Sequence, residues 1–183
     1  MHDRQAPLEV LYGPEAIALG VRRVAEAIRR DVNGQPLFVV AVMNAAVYFA
    51  ADLLRALADG PRVEGFAAAC VASYGAGTAP QGPPRVAAFP PAERLAGRTV
   101  LVVDTVVDSG ATAQVVLAEA RARGAREAWL ACLVDKPARR RIAVRPDWSA
   151  FTAPDRYLVG YGLDADGALR TLPYVAALLE DPA

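Results

Sequence analysis

Three nearly continuous apolar runs constrain the fold of this chain more than any other feature of its sequence. The runs cover residues 36–44, 98–105 and 125–135. Runs of this kind are typical of β-strands that are covered on both faces. Helical patterns, in which apolar residues recur every three or four positions, lie between them. Strands and helices that alternate in this way predict an α/β fold, with a parallel sheet flanked by helices on both faces.

The remaining segments complete the predicted organisation. Helical patterns lie at 13–34, 45–59 and about 111–123, and a further strand-like segment covers 63–75. Residues 76–85 are rich in Gly, Pro and Thr, which predicts a mobile loop. The tail shows no further strand–helix unit. We expect it to add strands and, over about 145–175, to form a small hood subdomain together with the N-terminal segment.

Composition and charge narrow the class of protein. The 183 residues are 54% hydrophobic and 22% charged, which is typical of one globular domain spanning 1–183. Twenty basic residues balance twenty acidic ones, so a nucleic-acid partner is not expected. The apolar runs are too short for a membrane span, and the first ten residues lack the apolar core of a signal peptide. We therefore expect a cytoplasmic protein without a membrane partner.

Two residue types restrict the chemistry. Two cysteines, Cys70 and Cys132, lie in separate strand-like runs. Buried thiols in a reducing compartment are favoured over a disulfide. The only histidine is His2, near the chain end, so a Ser-His-Asp triad, a Cys-His pair and a histidine-rich zinc site are not expected. Acid–base work would then fall to carboxylates, lysine, tyrosine or bound water.

The carboxyl ends of the predicted parallel strands are the place to look for a site. Ligands of such sheets bind beyond these ends. The arrangement brings Met43–Asn44, Asp104–Thr112 and Asp135–Lys136 to one edge of the sheet. Lys136 is the only lysine beside nineteen arginines. Two readings stay open: an ammonium is needed because a guanidinium does not fit there, or the lysine is a chance survivor in an arginine-rich composition.

Residues 108–112, Asp-Ser-Gly-Ala-Thr, have the composition of a phosphate cradle. Ser109 and Thr112 offer hydroxyls, Gly110 lets the backbone approach a ligand closely, and a helix start presents unpaired N–H groups. The alternative is an ordinary helix N-cap by Asp108 or Ser109. Asp104 ends a predicted buried strand, where a carboxylate usually has a bound partner or a metal ion.

Residues 100–112, VLVVDTVVDSGAT, resemble the phosphoribosyl-pyrophosphate motif of type I phosphoribosyltransferases. In that motif four hydrophobic residues, two acids and two hydrophobic residues precede Asp-Thr-Gly-x-Thr. Further segments follow in the order seen in hypoxanthine-guanine phosphoribosyltransferases: FVVAVMNAAVYFAADLLRAL, VASYG, CLVDKPARRR, RPDWSAFTAPDRYLVGYGLD and LRTLPYV. The similarity extends from about residue 10 to residue 178. The central motif is shared by many purine and pyrimidine enzymes, whereas the tail is narrower and points to the 6-oxopurine branch.

The resemblance implies the donor site. It assigns Asp104 to the ribose hydroxyls, the cradle to the 5′-phosphate, and Asp108 to the position near N7 of the purine, where it is the proposed general base. Residues assigned to phosphoribosyl pyrophosphate are Asn44, Ala45, Ser73, Tyr74, Asp104, Thr105, Asp108, Ser109, Gly110, Ala111, Thr112 and Arg170. Ser73 and Tyr74 match the start of a loop that closes over the site. Arg170 matches the basic residue that meets the departing pyrophosphate.

The resemblance also implies the purine and metal sites. Lys136 matches the donor to the purine 6-oxo group, which would favour hypoxanthine, guanine or xanthine over adenine. Tyr157 matches an aromatic that stacks on the purine, and Leu158 a residue whose backbone reads the ring edge; the alternative for both is core packing. Asp164 matches a position near metal, pyrophosphate and purine. With Asp104 it would hold Mg²⁺, an ion that prefers oxygen ligands.

The chain departs from the family pattern in three places. One is mild, because Ser109 keeps the hydroxyl of the usual threonine, and the other two change charge. Thr105 replaces the second acid of the usual pair, and Asn44 and Ala45 stand where many relatives have lysine and glycine, at a bond that is often a non-proline cis peptide. The two changes remove one negative and one positive charge near the pyrophosphate.

The leading hypothesis for function is purine salvage. The reaction would transfer the phosphoribosyl group of 5-phosphoribosyl 1-pyrophosphate to a 6-oxopurine, giving IMP or GMP and pyrophosphate. The alternatives are a nucleotide-sensing regulator, for which only residues 137–145 form a basic candidate surface, and a homologue that binds nucleotide without turnover. The family further implies a homodimer or homotetramer.

Overall fold

A six-stranded sheet organises the fold. The computed structural model describes residues 7–72 and 84–179. Its strands are Leu8–Tyr12 (β1), Leu37–Met43 (β2), Val63–Ala72 (β3), Arg85–Ala88 (β4), Thr99–Val107 (β5), Glu127–Asp135 (β6), Trp148–Thr152 (β7), Leu158–Val159 (β8) and Val175–Leu178 (β9). Its α-helices are Pro14–Val32 (α1), Val47–Ala56 (α2) and Ala111–Ala122 (α3). The order in the main sheet is β4-β3-β2-β5-β6-β7, and all neighbours are parallel except β4, which pairs antiparallel with β3.

The predicted α/β class is confirmed, because helices cover both faces of this sheet. On one face, α1 and α2 pack Ile28, Phe49 and Leu53 against alternate residues of β2 and β5. On the other face, α3 packs Val116 and Ala120 against the intervening residues. Covering on both faces explains why the central strands are apolar along nearly their whole length.

Strand β5 extends further than the sequence indicated. Its parallel pairing with β6 continues to Val107, which lies opposite Asp135, whereas the predicted strand ended at residue 105. The valines at 106 and 107 continue the apolar run beyond the acid, so the ladder does not stop there. Asp104 therefore lies within the strand and not at its end.

A second, three-stranded antiparallel sheet has the order β1-β9-β8. It joins the N-terminal segment to the C-terminal tail, with Leu8 opposite Leu178. Within the range expected for the hood, about 145–175, β7 belongs to the main sheet and pairs parallel with β6. Its aromatic residues explain this, because Phe151 packs close to Gly20 of α1 and the indole of Trp148 donates a hydrogen bond to Asp31 (2.8 Å).

Within the part of the chain that the structure describes, no helix combines the length and the apolar character that a membrane crossing would require.

Candidate active site

A cleft of about 660 Å³ opens at the carboxyl ends of β2 and β5. Its walls come from residues 42–45, from Asp104, from residues 106–113, and from Asp164 and Arg170 of the tail, with Val71 on one side. This volume is in the range of small-molecule sites, and the position is the one that open parallel sheets use for ligands. Most residues that the sequence assigned to the donor thus converge on one cavity.

The cradle residues lie at the start of α3, as predicted. Gly110 has a φ of +88°, and α3 begins at Ala111. The hydroxyl of Ser109 accepts a hydrogen bond from the N–H of Ala111 (3.3 Å), so Ser109 does satisfy one helix donor, whereas Asp108 does not act as the cap. The side chains of Ser109 and Thr112 and the neighbouring helix N–H groups line the cleft, where a helix N-terminus favours an anion.

Asp104 lies at the floor of the cleft with its side chain almost removed from solvent. It is 7% exposed, and one carboxylate oxygen accepts the backbone N–H of Thr105 (2.7 Å). Burial raises the pKa of this carboxyl to about 7, against the lowering effect of backbone hydrogen bonds from Thr105 and Val106. A hydrogen-bond donor or a cation bound next to this buried carboxylate would stabilise its charged form.

Thr105 does not join the cleft. Its side chain is fully buried, it is absent from the cleft lining, and its hydroxyl oxygen has no hydrogen-bond partner within the described residues. The resemblance implied that Thr105 helps to bind 5-phosphoribosyl 1-pyrophosphate, but its side chain does not reach the cleft.

Asp108 and Lys136 face each other across the ends of β5 and β6. The Lys136 ammonium, only 3% exposed as a side chain, lies 3.3 Å from one Asp108 oxygen and donates to the backbone carbonyl of Arg156 (2.8 Å). The other Asp108 oxygen lies 3.5 Å from Arg139. The structure therefore brings Asp108, the predicted general base, into direct contact with Lys136, the predicted hydrogen-bond donor to the purine, beside the cradle.

Asn44 and Ala45 form the turn between β2 and α2. The Met43–Asn44 peptide is cis, as the resemblance implied for this bond. Both residues line the cleft, and Asn44 is exposed. The carbonyl of Ala45 lies where a Cβ on Gly162 would come within 2.1 Å of it, so the tail loop packs tightly on this turn.

Asp164 and Arg170 form an ion pair at the opposite wall. Their charged atoms are 2.7 Å apart, and Arg170 also donates to the carbonyl of Gly162 (2.5 Å). The second carboxylate oxygen of Asp164 accepts the N–H of Gly167 (2.9 Å). The loop is anchored to α2 by Tyr161, which donates to Asp52 (2.5 Å). Burial and this hydrogen bond raise the pKa of Tyr161.

Tyr157 and Leu158 have different environments. The hydroxyl of Tyr157 donates to the backbone carbonyl of Asp164 (3.0 Å), and partial burial raises the pKa of this hydroxyl. Tyr157 is not among the residues that line the cleft, and it packs against the cluster of Val159, Ala176 and Leu178. The side chain of Leu158 is buried in the core shared with α1 and α2, so only its backbone remains for ligand recognition.

The structure also places two arginines at the site that the sequence did not single out. Arg139 contacts Asp108, and Arg140 contacts the backbone of the cradle. The only signal for them is the arginine run that follows Lys136. Ser73 and Tyr74, predicted at the donor, lie outside the described residues.

The described residues contain no group of three or more carboxylate, cysteine or histidine side chains that could hold a metal ion. Asp104 and Asp164 both line the cleft, however. Mg²⁺ is usually held by one or two carboxylates together with substrate phosphates and water. The two carboxylates fit an ion bound in that way, in a shared complex with a phosphorylated ligand.

Comparisons with known proteins agree with this geometry. Residues 9–166 match the phosphoribosyl transferase domain family. The hypoxanthine-guanine phosphoribosyltransferase of Lactococcus lactis is 30% identical over 93% of this chain and 90% of its own length. The bifunctional protein TilS/HprT of Listeria innocua is 31% identical, and the chain spans about a quarter (26%) of its length. The structure of a Trypanosoma cruzi hypoxanthine phosphoribosyltransferase in complex with the product IMP superposes with a TM-score of 0.83 at 28% identity, covering 97% of each chain.

The predicted resemblance is confirmed by these matches, and this chain belongs to the phosphoribosyltransferase family, in the branch of the hypoxanthine-guanine phosphoribosyltransferases.

Proposed function

We propose that this protein transfers the phosphoribosyl group of 5-phosphoribosyl 1-pyrophosphate to a 6-oxopurine, giving IMP or GMP and pyrophosphate. One observation carries the proposal: the only lysine of the chain is buried against Asp108, the first residue of the phosphate cradle. Lys136, which would bind the purine, and the cradle, which would bind the phosphate, then lie on either side of the Asp108 carboxylate. A purine nucleotide likewise carries its purine at one end and its phosphate at the other.

The donor would bind along the cleft. The N–H groups at the start of α3 and the hydroxyls of Ser109 and Thr112 would hold the 5′-phosphate. Asp104 would accept hydrogen bonds from the ribose hydroxyls, and its burial supports this role because an unpartnered carboxylate there is unfavourable. Asn44, Ala45 and Arg170 would contact the pyrophosphate.

The purine would bind beside Asp108. Lys136 would donate to the 6-oxo oxygen, Tyr157 would stack on the ring, and the backbone of Leu158 would face its edge. As N9 of the purine forms its bond to C1′ and the bond from C1′ to the pyrophosphate oxygen breaks, Asp108 would accept the proton that leaves N7. Its ion pair with Lys136 would be exchanged for contacts to the substrate.

Mg²⁺ fits the pyrophosphate end of this arrangement. Asp104 and Asp164 are the two carboxylates that would hold it, together with substrate oxygens. When bound, the ion would neutralise charge on the leaving pyrophosphate. Asp164 would first have to release Arg170, which could then meet the departing pyrophosphate directly.

A nucleotide-binding protein without turnover is the second candidate. It is favoured by Asn44, which brings no charge to the turn at the pyrophosphate end, and by the lack of side-chain contact between Thr105 and the cleft. A regulator that binds RNA has less support, since the net charge is zero.

A substrate screen tests the proposal. Purified protein with Mg²⁺ and 5-phosphoribosyl 1-pyrophosphate is offered hypoxanthine, guanine, xanthine, adenine and uracil, and pyrophosphate release is measured. We expect turnover with 6-oxopurines and none with adenine or uracil. Tight IMP or GMP binding without turnover of any 6-oxopurine would instead establish the second candidate.

We further propose a cytoplasmic homodimer or homotetramer. Both cysteines are free thiols, which suits a reducing compartment; the expected burial is confirmed for Cys132 and wrong for Cys70, which is exposed. Sedimentation equilibrium of the purified chain decides the oligomeric state.

A further inference from the structure

Arg140 binds the backbone at the start of the cradle and does not line the cleft. Its guanidinium donates to the carbonyl of Asp108 (2.9 Å) and to that of Val107 (3.1 Å). It also donates to the carbonyl of Val144 and forms an ion pair with Asp135 at the end of β6. The side chain is only 12% exposed, so little water competes for these bonds.

The residues after Arg140 hold the same loop from a second direction. The backbone N–H groups of Arg141 and Ile142 both donate to the carbonyl of Ser109 (3.0 and 3.1 Å). A Cβ added at Gly110 would lie 3.0 Å from the Arg140 side chain and 3.2 Å from the Ile142 carbonyl, so no free space separates the two segments. The cradle therefore packs directly against residues 136–142, called the arginine segment below.

The arginine segment also contains Lys136, the proposed hydrogen-bond donor to the purine. Lys136 begins the short turn that leads to Arg140, its N–H donates to the carbonyl of Val107 (3.0 Å), and the N–H of Arg140 donates to Pro137 (3.2 Å). Arg140 and Lys136 thus bind the same backbone carbonyl, Val107, from one continuous turn. The position of the lysine relative to the cradle depends on this shared attachment.

We infer that Arg140 is a positioning residue that sets the distance between the base-recognising ammonium of Lys136 and the phosphate-binding N–H groups of the cradle. This inference rests on the proposed function. Arg140 is not among the residues that line the cleft; it would act through the backbone of residues 107 and 108, whose carbonyls it binds. A nucleotide spans both subsites, so it gains from a fixed distance that a ligand of one subsite does not need.

Arginine suits this task and lysine does not. Three backbone carbonyls and a carboxylate surround one planar guanidinium, whose five donors have fixed directions. An ammonium is a single charged group on a flexible chain and cannot reach all four acceptors together. Lysine at position 140 would keep the charge and lose the geometry.

Ligand binding to folded variants tests the inference. Arg140→Lys and Arg140→Ala are titrated by calorimetry with IMP, which spans both subsites, and with ribose 5-phosphate, which occupies only the cradle. We expect IMP affinity to fall by about tenfold or more, while ribose 5-phosphate affinity changes by less than about threefold. Guanidinium ion added to Arg140→Ala should restore part of the IMP affinity.

Two further variants keep the test decisive. Asp135→Asn leaves Arg140 in place and removes only its carboxylate partner, so it should give a smaller change in the same direction even if the Arg140 variants do not fold. Arg123→Ala is the matched control, because Arg123 binds a carboxylate and the carbonyl of Pro90 (3.0 Å) at the other end of α3. This control should leave the ratio of the two affinities unchanged.

The outcomes separate this inference from the proposed function. If every folded variant keeps the wild-type ratio of IMP to ribose 5-phosphate affinity, or loses both affinities equally, the positioning role is wrong. If the wild-type protein binds IMP but turns over no 6-oxopurine, the proposed function fails while the affinity ratio still reports on Arg140.

Discussion

Replacing Lys136 with methionine separates purine recognition from donor binding. The ammonium is buried and has two partners, the Asp108 carboxylate at 3.3 Å and the Arg156 carbonyl at 2.8 Å. Methionine has a similar length and no charge, so the loss is confined to these bonds and to the bond proposed for the purine. Asp108 would keep Arg139, which lies 3.5 Å from its other carboxylate oxygen, and its side chain is 40% exposed, although that other oxygen is itself buried and makes no hydrogen bond within the described residues.

The expected magnitude follows from the type of bond. A hydrogen bond from a charged donor contributes about 1.5–3 kcal/mol, which corresponds to roughly a 10- to 150-fold loss of kcat/KM for hypoxanthine. The KM for 5-phosphoribosyl 1-pyrophosphate should change by less than about threefold, since its proposed phosphate ligands lie on the cradle, in the turn after β2 and at Arg170, and do not include Lys136. Discrimination against adenine should shrink, because adenine offers no 6-oxo acceptor to lose.

Steady-state kinetics with each substrate varied in turn measures both values. Arg139→Met is the matched control: it removes a half-exposed cation beside the same carboxylate, and such pairs contribute about 0.2–1 kcal/mol, or up to roughly fivefold. If Lys136→Met impairs hypoxanthine and donor equally, Lys136 supports the site as a whole and does not read the purine.

Three other changes test separate parts of the site. Asp108→Asn should lower kcat by about 100-fold or more while IMP affinity, measured by calorimetry, stays within about fivefold, because the amide cannot accept the purine proton; parallel losses would contradict that role. Gly162→Ala should lower the free energy of unfolding by more than about 2 kcal/mol in urea denaturation, because the new Cβ would lie 2.1 Å from the Ala45 carbonyl at a φ of +98°. The control Gly167→Ala, also at positive φ but with open space around it, should cost only about 1 kcal/mol, and equal costs would show that the contact with Ala45 is unimportant. Burial raises the pKa of Asp104 to about 7 from 3.8, so the unfolded chain loses this proton first and the ligand-free protein loses stability as pH rises from about 4 to 7. Asp104→Asn should therefore raise the thermal midpoint relative to wild type at pH 8 and not at pH 4, and an equal difference at both pH values would contradict the raised pKa.

The sequence predicted the central strands well because their environment is uniform. β2, β5 and β6 are covered on both faces, and this requirement leaves a continuous apolar run that can be read directly. The short strands β4 and β8, with four and two residues, carry too little pattern to be recognised. These short strands form only because the fold places them beside β3 and β9, respectively.

The sequence indicated which side chains come together at the edge of the sheet, but not which of them contact the backbone there. The cradle and Lys136 follow from residue types at the carboxyl ends of strands. The contacts of Arg140 could not be predicted, since they go to backbone carbonyls whose directions are set only in the folded chain. Thr105 shows the opposite limit, because a position within a motif does not tell which way its side chain points once β5 continues past it.

The ion pairs around the cleft have a consequence for how substrates are selected. Asp108 is paired with Lys136, and Asp164 with Arg170, before any ligand arrives. Under the proposed function, substrate binding at these positions would be an exchange of ionic partners, and its free energy would be the difference between two sets of pairs. A ligand with the right total charge but the wrong spacing would break the internal pairs without replacing them, so we expect simple anions to bind weakly in the cleft, in competition with its own side chains.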